Sequence, residues 1–130
     1  MDNFYNNEKY ITELNDNHFK GKKITLKRFQ GKEGLIMFYA PWCGHCQRFK
    51  DAYIKLSLVF TDNVPLAAVN CDNDNTKTIQ HICEIRGFPT IKIIKNGIIT
   101  SDYNGERTPE GIANYFCEEN VFCSKDFNNI

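Results

Sequence analysis

Hydrophobic residues along this chain fall into short blocks separated by longer amphipathic stretches, which predicts strands alternating with helices. Apolar runs typical of buried strands occupy residues 11–14, 35–39, 64–70, 90–94 and 98–103. The last two runs are joined across Asn96 and Gly97, a pair that strongly favours a tight β-hairpin. Residues 24–29 fit either an edge strand or a helical turn.

The amphipathic stretches predict three helices. The first, over residues 43–60, places an apolar stripe at helical spacing, made of Phe49, Ala52, Tyr53, Leu56, Val59 and Phe60. The second covers residues 75–85, with Ile79, Ile82 and Cys83 facing inward. Thr108 and Pro109 suit the N-cap and first position of the third, which we expect to end near Asn120.

These elements fit one domain with a hydrophobic core, because 130 residues can bury one core but leave little for a second. We predict that residues 10–123 form the domain. Residues 1–9 are rich in polar side chains and are expected to form an N-terminal tail, and residues 124–130 a C-terminal tail.

Two cysteines stand where a predicted strand meets a predicted helix. Cys43 and Cys46 are three residues apart, so the first helical turn places them on one face. A helix N-terminus favours an anion, and the thiolate is the form that attacks disulfides. This predicts that Cys43 is the nucleophile and that Cys46 resolves the mixed disulfide. The alternatives are two core cysteines or half of a zinc site, and zinc would need a second well-spaced Cys or His pair, which the sequence lacks.

Three segments together resemble the catalytic domains of the protein disulfide isomerase family: FYAPWCGHC, IRGFPTIK and YNGERTPEG. The resemblance covers roughly residues 10–116. It implies the α/β thioredoxin fold, a single domain whose central mixed β-sheet is flanked by helices on both faces. It further implies a protein thiol–disulfide oxidoreductase of the oxidase or isomerase type, which needs no cofactor beyond its Cys-Gly-His-Cys dithiol. A thioredoxin-like reductase and a weakly catalytic binding module are the alternatives.

Two side chains beside the nucleophile are candidates for supporting roles. Trp42, the single tryptophan, is either a core anchor or, as we expect, a ring that shields the thiolate and offers apolar surface to a substrate. His45 lies between the cysteines, where a partly cationic ring would stabilise the thiolate and so make the disulfide a stronger oxidant. By resemblance, Gly-His in this position favours oxidase or isomerase activity over the Gly-Pro of reducing thioredoxins.

The resemblance assigns further roles downstream. Phe88 and Pro89 match the loop that faces the cysteines with a cis proline and binds a substrate strand, although Pro89 could instead be an ordinary strand-edge proline. Arg86 matches an arginine that lowers the pKa of the second cysteine; the alternative is a solvated arginine at a helix end.

Met37 and Ala68 depart from the family pattern. The family places a buried acid six residues before the first cysteine, often with a lysine on the next strand, whereas this chain has Met37 and Ala68 there. A carboxyl can take up the proton of the resolving cysteine, but a thioether and a methyl group cannot. We therefore expect the steps that activate Cys46 to depend on water or another group.

Four further cysteines allow disulfides. Some isomerase-like domains have a structural disulfide where Cys71 and Cys83 stand, which makes this pair the favoured second bridge, although Cys83 also suits a core position. Cys117 and Cys123 would be separated by ~9 Å of rise in a continuous helix. They can bridge each other only if the helix ends between them, and otherwise either could form an intermolecular disulfide.

Charge and composition limit the partners. Sixteen basic and sixteen acidic residues cancel, so we expect no nucleic-acid or membrane partner, and we expect protein substrates with thiols or disulfides and a redox partner protein. No segment resembles a signal peptide or a membrane span. The sequence leaves the compartment open: the cytoplasm, a virion if the chain is viral, or the endoplasmic reticulum lumen if a signal has been removed.

Overall fold

A computed structural model describes residues 2–124, which form a seven-stranded mixed sheet and three α-helices. The strands are β1 (Ile11–Glu13), β2 (Phe19–Lys20), β3 (Lys23–Ile24), β4 (Gly34–Tyr39), β5 (Leu66–Asn70), β6 (Thr90–Lys95) and β7 (Ile98–Asp102). The helices are α1 (Gly44–Phe60), α2 (Lys77–Ile82) and α3 (Pro109–Glu118). The strand order is β1-β5-β4-β6-β7-β3-β2, with β5 parallel to both β1 and β4 and the other pairs antiparallel.

The sheet separates two hydrophobic clusters, so helices cover both of its faces as expected. Apolar side chains of α1 and α3 pack on one face and include Phe49, Leu56, Phe60, Ile112 and Phe116. On the other face, α2 contributes Ile79 to a cluster with Phe29, Phe38 and Ile94. The predicted thioredoxin fold is therefore confirmed. Within residues 2–124, no helix is long and apolar enough to cross a membrane.

The best-predicted elements are those with strong local signals. All six residues of β4 are buried, and α1 starts and ends within one residue of its predicted bounds. Asn96 and Gly97 take φ values of 53° and 74°, the left-handed conformations that a two-residue hairpin needs. Thr108 caps α3 as predicted, because its hydroxyl accepts a hydrogen bond from the Gly111 N–H at 3.0 Å.

Weaker local signals gave less accurate predictions. The ambiguous residues 24–29 divide between strand β3 and a 3-10 turn at Lys27–Phe29, and the short strand β2 was missed. The second helix is shorter than predicted, because a 3-10 turn at Asp74–Thr76 precedes α2 and Cys83 ends it.

Residues 2–9 do not behave as the polar tail that their composition predicted. Tyr5 is fully buried, and the ring of Phe4 stacks on Tyr39 with 4.6 Å between ring centroids. The backbone is held as well, since the Phe4 N–H donates to the Tyr39 hydroxyl and the Tyr5 N–H donates to Glu13 Oε2. Burial of the two adjacent aromatic rings thus fixes this segment against the domain although most of its other residues are polar, because each ring buries a large apolar area. Of the predicted C-terminal tail, only Ser124 lies within the described residues.

The chain reverses just after α3, and this reversal forms a disulfide. Asn120 has a φ of 60°, and the Val121 N–H bonds back to the Phe116 carbonyl at 2.9 Å, as in a Schellman C-cap. The reversal brings Cys123 back to Cys117, and the two are bridged with 4.5 Å between their Cα atoms. The sequence analysis required the helix to end between these two cysteines, and it does. The pair is therefore bridged within the chain rather than linked to another molecule.

We expect this disulfide to stabilise the C-terminus without affecting the redox site. Replacing both Cys117 and Cys123 with serine should lower the free energy of unfolding by ~2 kcal/mol, the chain-entropy value for so short a loop. In that model the loss comes from the greater freedom of the unfolded chain without the bridge. In the folded state the bridged segment contains Phe122, whose ring packs edge-on against Phe60 at 5.8 Å. Urea unfolding of both proteins under non-reducing conditions measures the difference. Equal midpoints would show that the bridge adds no stability.

The predicted bridge between Cys71 and Cys83 is not formed in the structure, where both are free thiols. Both are buried in the same cluster beneath α2, so they occupy core positions. The Cys71 thiol donates to the Val69 carbonyl, two residues back in the chain, at 3.7 Å, and burial raises the pKa of Cys71 to about 12. A thiol held protonated in this way is a poor nucleophile for forming a disulfide.

Candidate active site

The Cys43–Cys46 pair lies where β4 passes into α1. Cys43 is the N-cap residue of α1, and Cys46 lies in the first turn. Both are free thiols; Cys46 is fully buried, whereas Cys43 keeps 8% of its surface exposed. The side chain of Gln47 fixes the loop before the helix by donating to the Pro41 carbonyl at 2.8 Å. A substrate can therefore reach the first sulfur but not the second.

The surroundings of Cys43 favour its thiolate. Burial alone would raise the pKa of Cys43, but hydrogen bonds from the Cys46 N–H, the Cys46 thiol and the His45 N–H stabilise the charged sulfur. The positive charge of Arg48 acts in the same direction. The net result is a pKa below the ordinary value, as expected for a cysteine at a helix N-terminus.

Cys46 is affected in the opposite way. Burial raises the pKa of Cys46 to about 12, and the hydrogen bond that its thiol makes to Cys43 adds to the increase. The backbone at Ala40 and the charge of Arg107 oppose this rise but do not cancel it. At neutral pH the pair therefore consists of one ionisable sulfur and one sulfur that keeps its proton.

An aromatic pair forms the surface next to the nucleophile. Trp42 is 61% exposed and meets Phe88 edge-to-face with 5.9 Å between ring centroids. Its indole N–H donates to Asp72 Oδ1 at 2.9 Å, which fixes the orientation of the ring. The Phe88–Pro89 peptide bond is cis, and the Cys43 thiol donates to the Phe88 carbonyl at 3.6 Å. The structure thus brings Trp42, Phe88 and Pro89 together beside Cys43.

The side chain of His45 is engaged with an arginine rather than with the sulfur. Its Nδ1 lies 2.9 Å from Arg48 Nη2, so the guanidinium donates to the ring. The contribution of His45 to Cys43 comes from its backbone N–H, and the nearby cation is Arg48. Stabilisation of the thiolate by a cationic His45 ring, as predicted from the sequence, stays a prediction.

The arginine prediction needs a correction. Arg86 is exposed and lines a groove with Lys22, Lys77 and His81 on the α2 side of the molecule. The guanidinium whose charge acts on Cys46 is that of Arg107, which also donates to the Pro89 carbonyl at 3.3 Å.

Arg107 belongs to the loop between β7 and α3, which folds back over the active-site end of the sheet. There it lines a cavity of about 200 Å³ with His45, Arg48 and Phe49. Arg107 lies in the segment YNGERTPEG, one of the three that resemble the family. The sequence therefore contained a signal for this residue, but it did not show that Arg107 lies near Cys46.

Met37 and Ala68 occupy the positions expected for the missing charged pair. Their Cα atoms are partners in the β4–β5 register, and both are fully buried. They lie on the same side of the sheet as Cys46 and belong to the same hydrophobic cluster. No carboxyl or amine is therefore supplied to Cys46 from these two positions.

Comparison with known proteins agrees with this geometry. The family model for thioredoxin matches residues 10–118. The chain is 38% identical over 100 residues to a protein disulfide-isomerase of Datisca glomerata, covering 74% of this chain and 20% of that protein. It is 46% identical over 80 residues to a protein disulfide-isomerase A6 homolog of Drosophila melanogaster, covering 61% of this chain and 18% of that protein.

A structural comparison shows the same fold. The J-Trx1 fragment of ERdj5 superposes with a TM-score of 0.72 at 22% identity, covering 91% of this chain and 55% of that one. The chain spans about a fifth of the length of the two curated relatives. The chain therefore belongs to the thioredoxin family, as a thioredoxin-like domain of the protein disulfide isomerase type.

Proposed function

We propose that this domain is a protein thiol–disulfide oxidoreductase of the oxidase or isomerase type. The observation that carries the proposal is the pairing of two contacting thiols with opposite pKa shifts, lowered for Cys43 and raised to about 12 for Cys46. An exchange reaction needs this asymmetry, because one sulfur must attack from outside while the other waits inside as a thiol.

The reaction on a substrate disulfide proceeds in two displacements. The Cys43 thiolate attacks one substrate sulfur, so that the substrate S–S bond breaks, a mixed disulfide forms and one substrate thiolate leaves. Cys46 then loses its proton and attacks the Cys43 sulfur, which releases the second substrate thiolate and leaves the Cys43–Cys46 disulfide. In the reverse direction, the same steps oxidise a substrate dithiol to a disulfide. If the reaction stops at the mixed disulfide, the free substrate thiolate can attack another substrate disulfide, which rearranges the pairing.

Stabilisation of the reduced form favours the oxidising direction. Hydrogen bonds and a nearby cation lower the pKa of Cys43, and every interaction that stabilises the thiolate is lost when the disulfide forms. The domain should therefore give up its disulfide readily to a substrate.

The substrates that fit this site are unfolded or partly folded proteins. Trp42 and Phe88 present an exposed aromatic edge beside Cys43, suited to apolar segments that a folded protein would bury. The loop at Phe88 and Pro89 lies next to the Cys43 sulfur, where an extended substrate strand would align along it. The partners would be proteins with thiols or disulfides and a second redox protein that restores the oxidised state.

Reactivation of a scrambled disulfide protein, together with the reduction potential, tests the proposal. We expect turnover and a potential nearer about −180 mV, as in isomerases, than about −270 mV, as in thioredoxin. The Cys117→Ser/Cys123→Ser variant is the control, since an unchanged potential shows that Cys43 and Cys46 are the titrating pair. A potential near the thioredoxin value would indicate a reductase, and a folded protein without turnover would indicate a binding module.

A further inference from the structure

The indole ring of Trp42 is held by a hydrogen bond that joins two loops. Trp42 lies three residues beyond the end of β4, and its partner Asp72 lies two residues beyond the end of β5. Because the ring is largely exposed, its orientation depends on this hydrogen bond and on its edge contact with Phe88. Any group that fixes the two loops relative to each other therefore also fixes the ring beside the nucleophile.

The N-terminal segment is anchored on the first of these strands. The Phe4 N–H donates to the hydroxyl of Tyr39, the last residue of β4, at 2.8 Å, and the two rings stack. From α1, the ammonium of Lys50 lies 5.0 Å from the centroid of the Phe4 ring, as in a cation–π contact. Phe4 is thus held by both β4 and α1, so the residue before it, Asn3, has a defined position.

Asn3 connects this anchor to the second loop. Its Oδ1 accepts hydrogen bonds from Asn70 Nδ2 at 2.9 Å and from Asn73 Nδ2 at 3.0 Å. Asn70 Oδ1 in turn accepts from the Asp72 N–H at 3.0 Å, and the Asp72 carboxylate accepts from the indole N–H of Trp42. A chain of hydrogen bonds through Asn70 and Asp72 therefore joins Asn3 to Trp42.

The bonds of Asn3 differ in kind from the local bonds of the same loop. The Thr76 hydroxyl donates to the carbonyls of Asn70 and Asn73, which folds residues 70–76 upon themselves. These local bonds maintain the shape of the loop, whereas Asn3 sets its position relative to β4. Asn70 is only 1% exposed, so loss of Asn3 would leave a buried amide donor without an acceptor unless the loop moved.

We propose that Asn3 is a positioning residue for substrate binding, which fixes the loop at residues 70–73 so that Asp72 holds the Trp42 ring beside Cys43. The proposal rests on the proposed function, in which this ring forms part of the surface offered to unfolded proteins. A ring that is already oriented loses less conformational freedom when a substrate binds, so affinity improves while the chemistry of the sulfurs is unchanged. Asn3 precedes the part of the chain that resembles the family, so the resemblance assigns it no role.

Fluorescence of Trp42 tests the structural link directly, because the protein has a single tryptophan. In the reduced protein, Asn3→Ala should lower the emission anisotropy of the ring, as Asp72→Ala should. Asn3→Asp keeps the accepting oxygen and should restore the wild-type value. The double variant Asn3→Ala/Asp72→Ala should match Asp72→Ala alone, because the effect of Asn3 passes through Asp72.

Steady-state kinetics tests the consequence for substrates. With a disulfide-linked peptide that has apolar residues beside its cysteines, Asn3→Ala should raise KM about fivefold, the factor expected for loss of one aromatic contact. The value of kcat should not change, because the interaction is made equally in the ground state and the transition state. Attack on 2-hydroxyethyl disulfide, which has no apolar side chain, should proceed at the wild-type rate. This difference separates weaker substrate binding from damage to Cys43.

The matched control is Asn7→Ala, the same change at an exposed residue of the same segment that lies outside the chain of hydrogen bonds. It should behave as wild type in every measurement. Asn73→Ala removes one of the two bonds to Asn3 and should give a smaller effect in the same direction. Wild-type anisotropy and KM for folded Asn3→Ala would overturn the proposal, as would an Asn3→Asp variant that behaves like Asn3→Ala. Failure of the wild-type protein to react with either disulfide would instead count against the proposed function, and the anisotropy would still decide the link from Asn3 to Trp42.

Discussion

Replacing Cys43 with serine is expected to abolish thiol–disulfide exchange, whereas replacing Cys46 with serine should produce a protein that traps its substrates. A serine hydroxyl at position 43 does not ionise near neutral pH, so no attacking group remains. Cys46→Ser keeps the exposed nucleophile with its lowered pKa but removes the thiol that would release the mixed disulfide. Turnover should fall by at least about 1,000-fold in both variants, for these different reasons.

Non-reducing electrophoresis and mass spectrometry distinguish the two variants. Only Cys46→Ser should accumulate adducts with protein substrates, and the trapped proteins identify the substrate class. Cys71→Ser serves as the control, because this buried thiol has a raised pKa and should take no part in turnover. If a thiol reagent at neutral pH modified Cys46 before Cys43, the assignment of roles would be reversed.

The second large effect is expected for Met37→Glu, which restores an acid at the family position. Met37 is fully buried, with Ala68 and Ile91 as its neighbours on the adjacent strands. A carboxyl there has no cationic partner, so the free energy of unfolding should fall by about 3 kcal/mol. The same carboxyl should speed release of mixed disulfides near neutral pH, because it offers Cys46 a proton acceptor.

The stability loss should depend on pH in a defined direction. Burial would raise the pKa of the new carboxyl above its unfolded value of about 4.3. The folded state then binds more protons than the unfolded state between the two pKa values, so stability falls as the pH rises through that window. Below about pH 4 the group is protonated in both states, and this part of the penalty disappears.

Met37→Gln is the matched control for both readouts. It introduces a polar side chain of the same size that cannot exchange a proton, so it should lower stability without its pH dependence and without a change in resolution rate. Urea unfolding and single-turnover kinetics between pH 4 and pH 9 measure these quantities. Identical pH–rate profiles for folded Met37→Glu, Met37→Gln and wild type would mean that position 37 serves packing alone.

Local sequence signals determined most of the scaffold. The apolar run of β4, the stripe of α1, the Asn96-Gly97 turn and the Thr108 cap each specify their element through neighbouring residues, and each was predicted correctly. The spacing of Cys43 and Cys46 at the start of a helix likewise predicted their contact, because helical geometry fixes it. Signals of this kind act within a few residues and can be read without knowing the rest of the fold.

Tertiary structure decided which distant groups surround the two sulfurs. Nothing local distinguishes Arg107 from Arg86, and the choice follows from the way the loop before α3 folds back over the active-site end of the sheet. Tyr5 fell in the predicted tail and Glu13 in the first predicted strand, and the β1–β5 register and the packing of aromatic rings bring both to the cysteine side of the sheet. The chain thus specifies its reacting sulfurs by short-range pattern. Their protonation is controlled by charges and burial that exist only once remote segments have packed together.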